Sequence, residues 1–376
     1  MTVGYFSPLP PAPTGVADYA ASLLTELQRH GNIEISPDTC DVALYHIGNN
    51  QLHRSIYDRA IQHPGVVVLH DAVLHHFFLG SFRKNDYIAE FVYNYGEWAR
   101  DEAGELWRER SLSAQDPRYF GRPMLKRIAA RSLAVVVHNP AAARMVRDHS
   151  PTTPVVEIPH FYTPAPPADP AEVARFRASL HGPGPIGFVF IFLGYLRESK
   201  RLMPVLQAFE RLHRLRPGTR LLVAGEFVSR DLARNAAALL GQPGVTCLSH
   251  LPEKEFAIAA AAADCCINLR YPAAGESSGI AVRLMGLGKP VLLTEAEETA
   301  RIPELASFRI FPGAAEKASL FDTMFLVSEY PDLARRAGRE AALHIERYHS
   351  LASAGKRYWD LLCHTAALRS FSLSPV

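Results

Sequence analysis

The segment RYPAAGESSGIAVRLMGLGKP, residues 270–290, carries the densest chemistry in the chain. An apolar run ends near Arg270, a loop holds Glu276, and Ser277, Ser278 and Gly279 open a helix. Gly288-Lys289-Pro290 then leads into the next strand. Serine caps a helix start well, and small residues let a ligand approach backbone N–H groups that have no partner inside the helix. Such a terminus suits phosphate. A carboxylate directly before it can accept hydrogen bonds from sugar hydroxyls. The competing reading is a plain helix cap with no ligand.

A second segment, FLGYLRESKR at 192–201, ends a buried strand at Gly194 and places Lys200 and Arg201 before a helix. Two cations there suit a diphosphate, each through a charge-assisted hydrogen bond. The alternative is a solvated basic helix start, which a helix dipole mildly opposes. Lys200 and Lys289 both fall in these motifs, so a local positive cluster is expected on an otherwise neutral surface.

Histidines form a third group. LHDAVLHHFF holds His70, Asp71, His75 and His76. The H-x4-H-H spacing matches no usable metal site, so no metal is expected. His75 and His76 read as a packed helix face. His70 closes a strand and is a site candidate. YHIGNN offers His46, Asn49 and Asn50, with Asn49 either turning the chain or facing an acceptor. His138 and Asn139 close another strand.

The elements that must position these residues alternate strand and helix. Near-continuous apolar strands are predicted at VGYFSP, DVALYHIG, GVVVLHD, LAVVVHN and VVEIPH, and again at GFVFIFLG, TRLLVAGE, VTCLSHLP, DCCINLRYP and PVLLTE. Buried parallel strands read this way. Two doubly wound α/β domains with parallel sheets follow, facing a cleft. The Pro- and Ala-rich stretch at 166–185 reads as a linker. It separates a first domain, 1–165, from a second, 186–348, and 349–376 is a terminal helix crossing back to the first. Ligands on such sheets bind beyond the strands' carboxyl ends, where Asn49, His70, Asp71, His138, Asn139, Lys200, Arg201 and Glu276 stand.

Bulk properties exclude other classes. The 376 residues carry 40 Lys plus Arg against 38 Asp plus Glu, a net charge of +2. That balance argues against a nucleic-acid partner. Five cysteines without CxxC spacing point to a reducing, cytoplasmic setting rather than a disulfide framework. No signal-like start and no 18-residue apolar run occur, so no secretion signal or membrane span is expected. The basic helix with Lys126, Arg127 and Arg131 suggests peripheral contact with an anionic lipid surface, or simply a solvated face.

Taken in order, the motifs resemble those of the retaining GT-B glycosyltransferases of family four. GESSG–R–GLGKP resembles the donor-binding signature, and GY–L–K the diphosphate loop. SPLPPAPTGVADYAASLL resembles the N-terminal loop and first helix, and PDLARRAGREAALHIERYHSLASAGKRYWDLL the C-terminal helices. The resemblance implies that Glu276 holds donor-sugar hydroxyls. It implies that Ser278, Gly279 and Ile280 offer backbone groups to the diphosphate, that Ser277 helps bind the donor, and that Lys200 and Arg201 neutralise the leaving group. Gly15 would approach the phosphates from the first domain. Gly225 and Leu251 would lie on the nucleotide side, and His70 near the transferred sugar. Asn49, Asp71, His138 and Asn139 would face the acceptor.

Two positions depart from the common pattern. Arg283 stands where many members have a second glutamate, and Tyr195 where the loop often has an arginine. Both resemble a subgroup with a GE-S/T-SG signature. The implied activity is transfer of a hexosyl-type sugar from a UDP- or GDP-linked donor to a glycan or lipid-linked acceptor, in surface polysaccharide or glycoconjugate synthesis. The configuration is retained, and neither metal nor cofactor takes part. Rival readings are a nucleotide-sugar 2-epimerase and a silent partner subunit of the same fold. A dinucleotide oxidoreductase is weaker, since no G-x-G-x-x-G follows a strand.

Overall fold

The computed structural model describes residues 1–373, with side chains described to residue 369. The first sheet contains β1 (Thr2–Phe6), β2 (Asn32–Ile35), β3 (Val42–Ile47), β4 (Val66–Leu69), β5 (Ala134–Val137) and β6 (Val155–Glu157). The second contains β7 (Phe188–Leu193), β8 (Thr219–Ala224), β9 (Val245–Leu248), β10 (Cys265–Asn268), β11 (Val291–Thr294) and β12 (Ser307–Ile310). Their orders are β2-β1-β3-β4-β5-β6 and β12-β11-β10-β7-β8-β9, and every pairing is parallel.

Ten of these strands match the predicted apolar runs; β2 and β12 do not. Both are edge strands, and each leaves half or more of its residues at least partly exposed. β6 and β9 are edge strands as well, but VVE and VTCL each contain an adjacent apolar pair within a longer predicted run, whereas NIEI and SFRI contain none.

The chain divides into two compact units. One is Met1–Phe161 with Pro272–Ser277 and residues 350–373; the other is Tyr162–Tyr271 with Ser278–His349. In the first unit the helix Leu351–Leu373 packs on the helix Gly15–Leu27, and the hydroxyls of Tyr19 and Tyr358 meet at 3.0 Å in the core. The stretch 166–185 is folded into the second unit. Its helix, Pro170–Ala178, is capped by Asp169, and Arg177 bonds the Ala262 carbonyl and Asp264. The fully buried Arg220 guanidinium then donates to the carbonyls of Pro183 and Gly184.

The aromatic-rich region between β4 and β5 lacks regular apolar spacing, yet it builds core. Its helices His75–Ser81, Lys84–Tyr95 and Arg100–Arg108 bury Phe77, Phe78, Tyr87, Phe91 and Leu106 completely. Three short helices in succession hide the periodicity that one long helix would show. Trp98, at 75% exposure, and Tyr93, at 40%, are left at the surface.

Chain order reverses direction within each sheet between β1 and β3, and between β7 and β10. The crevice at such a reversal is where ligands bind in open α/β sheets.

Candidate functional site

In the second unit the first motif and the two ends of the second lie at that reversal; Pro272–Ser277, the middle of the second, belongs to the first unit. FLGYLRESKR follows β7 and the segment from Arg270 follows β10, and the two strands are hydrogen-bonded neighbours. The Lys200 side chain is buried, and its Nζ donates to the Leu193 carbonyl at 3.0 Å. Gly194, at φ +95°, makes room for it. A Cβ there would stand 2.6 Å from both Lys200 Nζ and Ile280 Cδ1. The ammonium and the first turn of the helix Gly279–Gly286 therefore converge on one glycine. Ser278 caps that helix through Ala281 N at 3.3 Å, ahead of which come the amides of Gly279 and Ile280. Gly225, after β8, backs onto the Gly194 carbonyl. Leu251 is half-buried against the second unit's core, and Tyr195 stands 37% exposed beside Arg197.

Three other cations of these motifs are engaged by the protein itself. Arg201, in left-handed conformation at φ +64°, binds Glu316 in a two-pronged ion pair, with Nε to Oε1 at 2.8 Å. Glu316 is only 4% exposed at its side chain. This bonded carboxylate holds the guanidinium more firmly protonated than usual. Arg283 pairs with Glu253 and lies 3.9 Å over the Phe256 ring. Lys289 corrects an expectation, because it is not part of a cluster with Lys200. It precedes β11 and donates to the carbonyls of Ala261 and Ala263, whereas Lys200 follows β7. In a parallel sheet those positions lie at opposite ends.

The first unit gathers its own candidates at the carboxyl edge of its sheet. Gly15 opens the helix after β1, with open space around its Cα. Asp71 accepts from the Asn49 backbone at 2.9 Å. Asn49 is used locally too: its Oδ1 accepts from Phe77 N at 2.8 Å and its amide meets His76 at 3.2 Å. His75 is buried, bonded to the Tyr87 hydroxyl at 2.7 Å, and burial lowers its pKa to about 3. Both neighbouring histidines thus pack as predicted for a helix face. On the basic helix, Arg127 pairs with Glu90 and lies with Lys126 over Tyr93, while Arg131 donates to the Ile61 carbonyl.

Glu276 belongs to this unit. Its loop is fastened by the amides of Ala72 and Val73, which both donate to the Ala274 carbonyl at 2.8 and 3.0 Å. Asn139 Nδ2 donates to the Gly275 carbonyl at 2.9 Å and to Ser277 Oγ at 3.1 Å. Gly275 sits at φ +70°, where a Cβ would stand 2.7 Å from the Ala72 Cβ. Glu276 Oε2 accepts from Ala274 N at 2.7 Å, which turns the carboxylate back over its own loop.

Sequence reasoning singled out His70 and His138 but missed how many rings join them. Tyr19 lies within 5.2 Å, ring to ring, of His70, His138 and His160, and His46 bonds His70. The readable signal was positional: β3 to β6 are adjacent, and each delivers a histidine at or just past its carboxyl end. Burial, and then the neighbouring histidines, lower His46 to about 3 and push His70 well below its usual range. Burial likewise lowers His53 and His138 to about 4. These rings are neutral at physiological pH. Among the described residues no group of three or more His, Cys, Asp or Glu is arranged to hold a metal ion, and no helix is long and apolar enough to cross a membrane.

The two parallel six-stranded sheets with flanking helices define the GT-B fold. The chain is similar along its whole length to sucrose-phosphate synthase from Thermosynechococcus elongatus, with a TM-score of 0.67, 14% identity and 100% of both chains covered. It is similar to Anabaena HepE in complex with UDP and glucose, at TM-score 0.61 and 13% identity over 97% of this chain and 100% of that one. A third likeness is to WaaG, a glycosyltransferase involved in lipopolysaccharide biosynthesis, at TM-score 0.58 and 15% identity over 96% and 99% of the two chains. No family model and no curated protein sequence matches the chain.

Proposed function

We propose that this protein is a glycosyltransferase that moves a sugar from a nucleoside diphosphate to a hydroxyl acceptor and retains the anomeric configuration. The observation that carries the reading is the convergence of Lys200 Nζ and the start of the helix Gly279–Gly286 on Gly194, at the sheet's reversal point. A buried ammonium and unpaired helix amides make a site for a diphosphate, whose charge grows as the sugar leaves. The full-length likeness to sucrose-phosphate synthase, HepE and WaaG supports the same chemistry.

In this scheme Lys200 and the amides of Gly279 and Ile280 stabilise the leaving diphosphate. Glu276 holds hydroxyls of the donor sugar, and His70 meets the transferred sugar. Attack comes from the face the diphosphate leaves, and the departing phosphate takes the acceptor proton, so no metal or cofactor is needed. The acceptor is a glycan or a lipid-linked sugar of surface polysaccharide or glycoconjugate synthesis, met in the cytoplasm or at the membrane face. A UDP-sugar is the first donor to try, because the HepE structures contain UDP and UDP-glucose.

A thermal-shift panel of UDP-, GDP- and ADP-sugars tests the reading. A true donor at a hundredfold its dissociation constant stabilises by about 2.7 kcal/mol, which moves the melting temperature by several degrees. The stabilising nucleotide sugar then enters a turnover assay for nucleotide release with saccharide acceptors. Absence of stabilisation by every nucleotide overturns the proposal in favour of a non-catalytic partner subunit.

A further inference from the structure

The bonds around His46 fix where each neighbouring ring carries its proton. His53 Nδ1 lies 2.9 Å from the His46 carbonyl, and His138 Nδ1 lies 2.8 Å from the Ile158 carbonyl. A carbonyl only accepts, so both rings carry their proton on Nδ1. His46 is different, because its Nδ1 meets another ring nitrogen, His70 Nε2, at 2.9 Å. Either ring could supply the shared proton, and the remaining nitrogen of His46 decides between them.

That nitrogen, His46 Nε2, is fully buried and has no hydrogen-bond partner. If it carried the proton, an N–H would be orphaned in the core, which folded proteins almost never tolerate. A bare lone pair there is the milder defect. His46 therefore keeps its proton on Nδ1 and donates it to His70 Nε2. His70 Nε2 is then an acceptor, and the proton of the neutral His70 ring sits on Nδ1. The geometry around the pair is tight. The two rings stand 5.2 Å apart at 19°, with Tyr5 and Tyr19 packed on His46 and Tyr19 edge-on to His70. The His53 bond to the His46 carbonyl fixes the backbone behind them.

We propose that His46 is a positioning residue that locks His70 into the Nδ1–H tautomer, so that His70 serves as a neutral hydrogen-bond donor to a hydroxyl oxygen of the bound sugar. The identity of the bound group rests on the glycosyl-transfer reading; the tautomer lock does not. Its consequence is chemical. A His70 whose Nε2 is filled by His46 and whose Nδ1 holds a proton has no free lone pair with which to deprotonate an acceptor.

The test uses the full chain labelled with nitrogen-15 in histidine. Long-range proton–nitrogen spectra assign the tautomer of each ring from its two nitrogen shifts. The wild type is expected to show His70 protonated on Nδ1. His46→Asn keeps an N–H donor near the Nδ1 position and is expected to preserve that pattern, whereas His46→Phe removes the donor and is expected to release His70 to the other tautomer. With a donor sugar in hand, kcat is expected to fall about tenfold in His46→Phe, the loss of one hydrogen bond, and to recover in His46→Asn. A wild-type His70 protonated on Nε2 overturns the proposal, as does a Phe variant that keeps the Nδ1–H pattern. Should the Phe variant not fold, the wild-type spectrum alone decides. Because the spectra need no turnover, an inactive protein with the expected tautomer refutes the glycosyl-transfer reading and leaves the lock standing.

Discussion

Asn139 and Gly275 are joined by a 2.9 Å hydrogen bond across a sequence separation of 136 residues. The same Asn139 side chain works in both directions. Its amide nitrogen donates to the Gly275 carbonyl and Ser277 Oγ, while its oxygen accepts from Ala142 N at 2.9 Å and caps the helix Pro140–His149. Glu276 lies between the two atoms that the amide grips. Asn139 is therefore placed to hold the Glu276 loop in one conformation while starting a helix.

Asn139→Asp separates these two duties. Aspartate keeps the cap acceptor and loses the N–H donors, and it sets a negative charge beside two oxygens. Turnover is expected to fall by roughly tenfold or more, since a small misplacement of a substrate-holding group is costly. Melting temperature should move less than in Asn139→Ala, which also loses a cap worth about 1 kcal/mol. Steady-state kinetics with the donor that the thermal-shift panel selects, paired with thermal melts, measure both; equal turnover in Asp and wild type would remove Asn139 from the site.

Glu276→Ala and Lys200→Ala are each expected to cut turnover at least about tenfold without unfolding the protein. The two differ in kind. In the proposed scheme Lys200 stabilises the leaving group, so its loss should lower kcat and kcat/KM together. In the same scheme Glu276 holds sugar hydroxyls in both ground and transition states, so its loss should also raise KM. Near-wild-type kinetics in both variants would contradict the site.

The ion pair of Arg201 with Glu316 supplies a test of stability rather than rate. Glu316 is almost wholly buried, and Arg201 is its bidentate partner. Removing one member of such a pair strands the other, at a cost of about 3–5 kcal/mol for a buried pair. Arg201→Ala is therefore expected to lower the urea midpoint clearly, and Arg201→Ala with Glu316→Leu to recover much of it. If Arg201 served only as a diphosphate ligand, its removal would leave the midpoint unchanged.

These residues also show what the sequence revealed and what it hid. The apolar runs of the central strands were legible because parallel strands buried on both faces leave little choice of side chain. Lys200 and Ser278 were legible because each stands just past a strand end or at a helix start. The partners of Arg201 and Arg283 were not, since Glu316 and Glu253 lie 115 and 30 residues away and no local pattern pairs them. Lys289 was misjudged although its position held the answer: a lysine before a strand and one after a strand cannot share an end of a parallel sheet. The His46–His70 bond needed the register of β3 on β4, which sets His46 opposite Val68 and brings the two imidazoles together beyond it.

The buried histidines make stability depend on pH in a definite direction. His46 is held near 3 and His53 and His138 near 4, with His70 also well below its usual range, all first of all by burial. In the unfolded chain each titrates near 6.5. Between those values the unfolded state binds more protons than the folded one, so folding stability falls as pH falls. The contribution is fully present above about pH 6.5, declines as the pH drops below it, and levels off beneath the folded values. Each histidine adds a slope approaching about 1.4 kcal/mol per pH unit in that window. Urea midpoints at pH 7.5, 6 and 5 are expected to decrease in that order. His138→Phe, which removes one buried ring nitrogen pair, is expected to show a shallower fall. A midpoint that stays level from pH 7.5 to 5 would mean that these rings are charged, or exposed, in the folded protein.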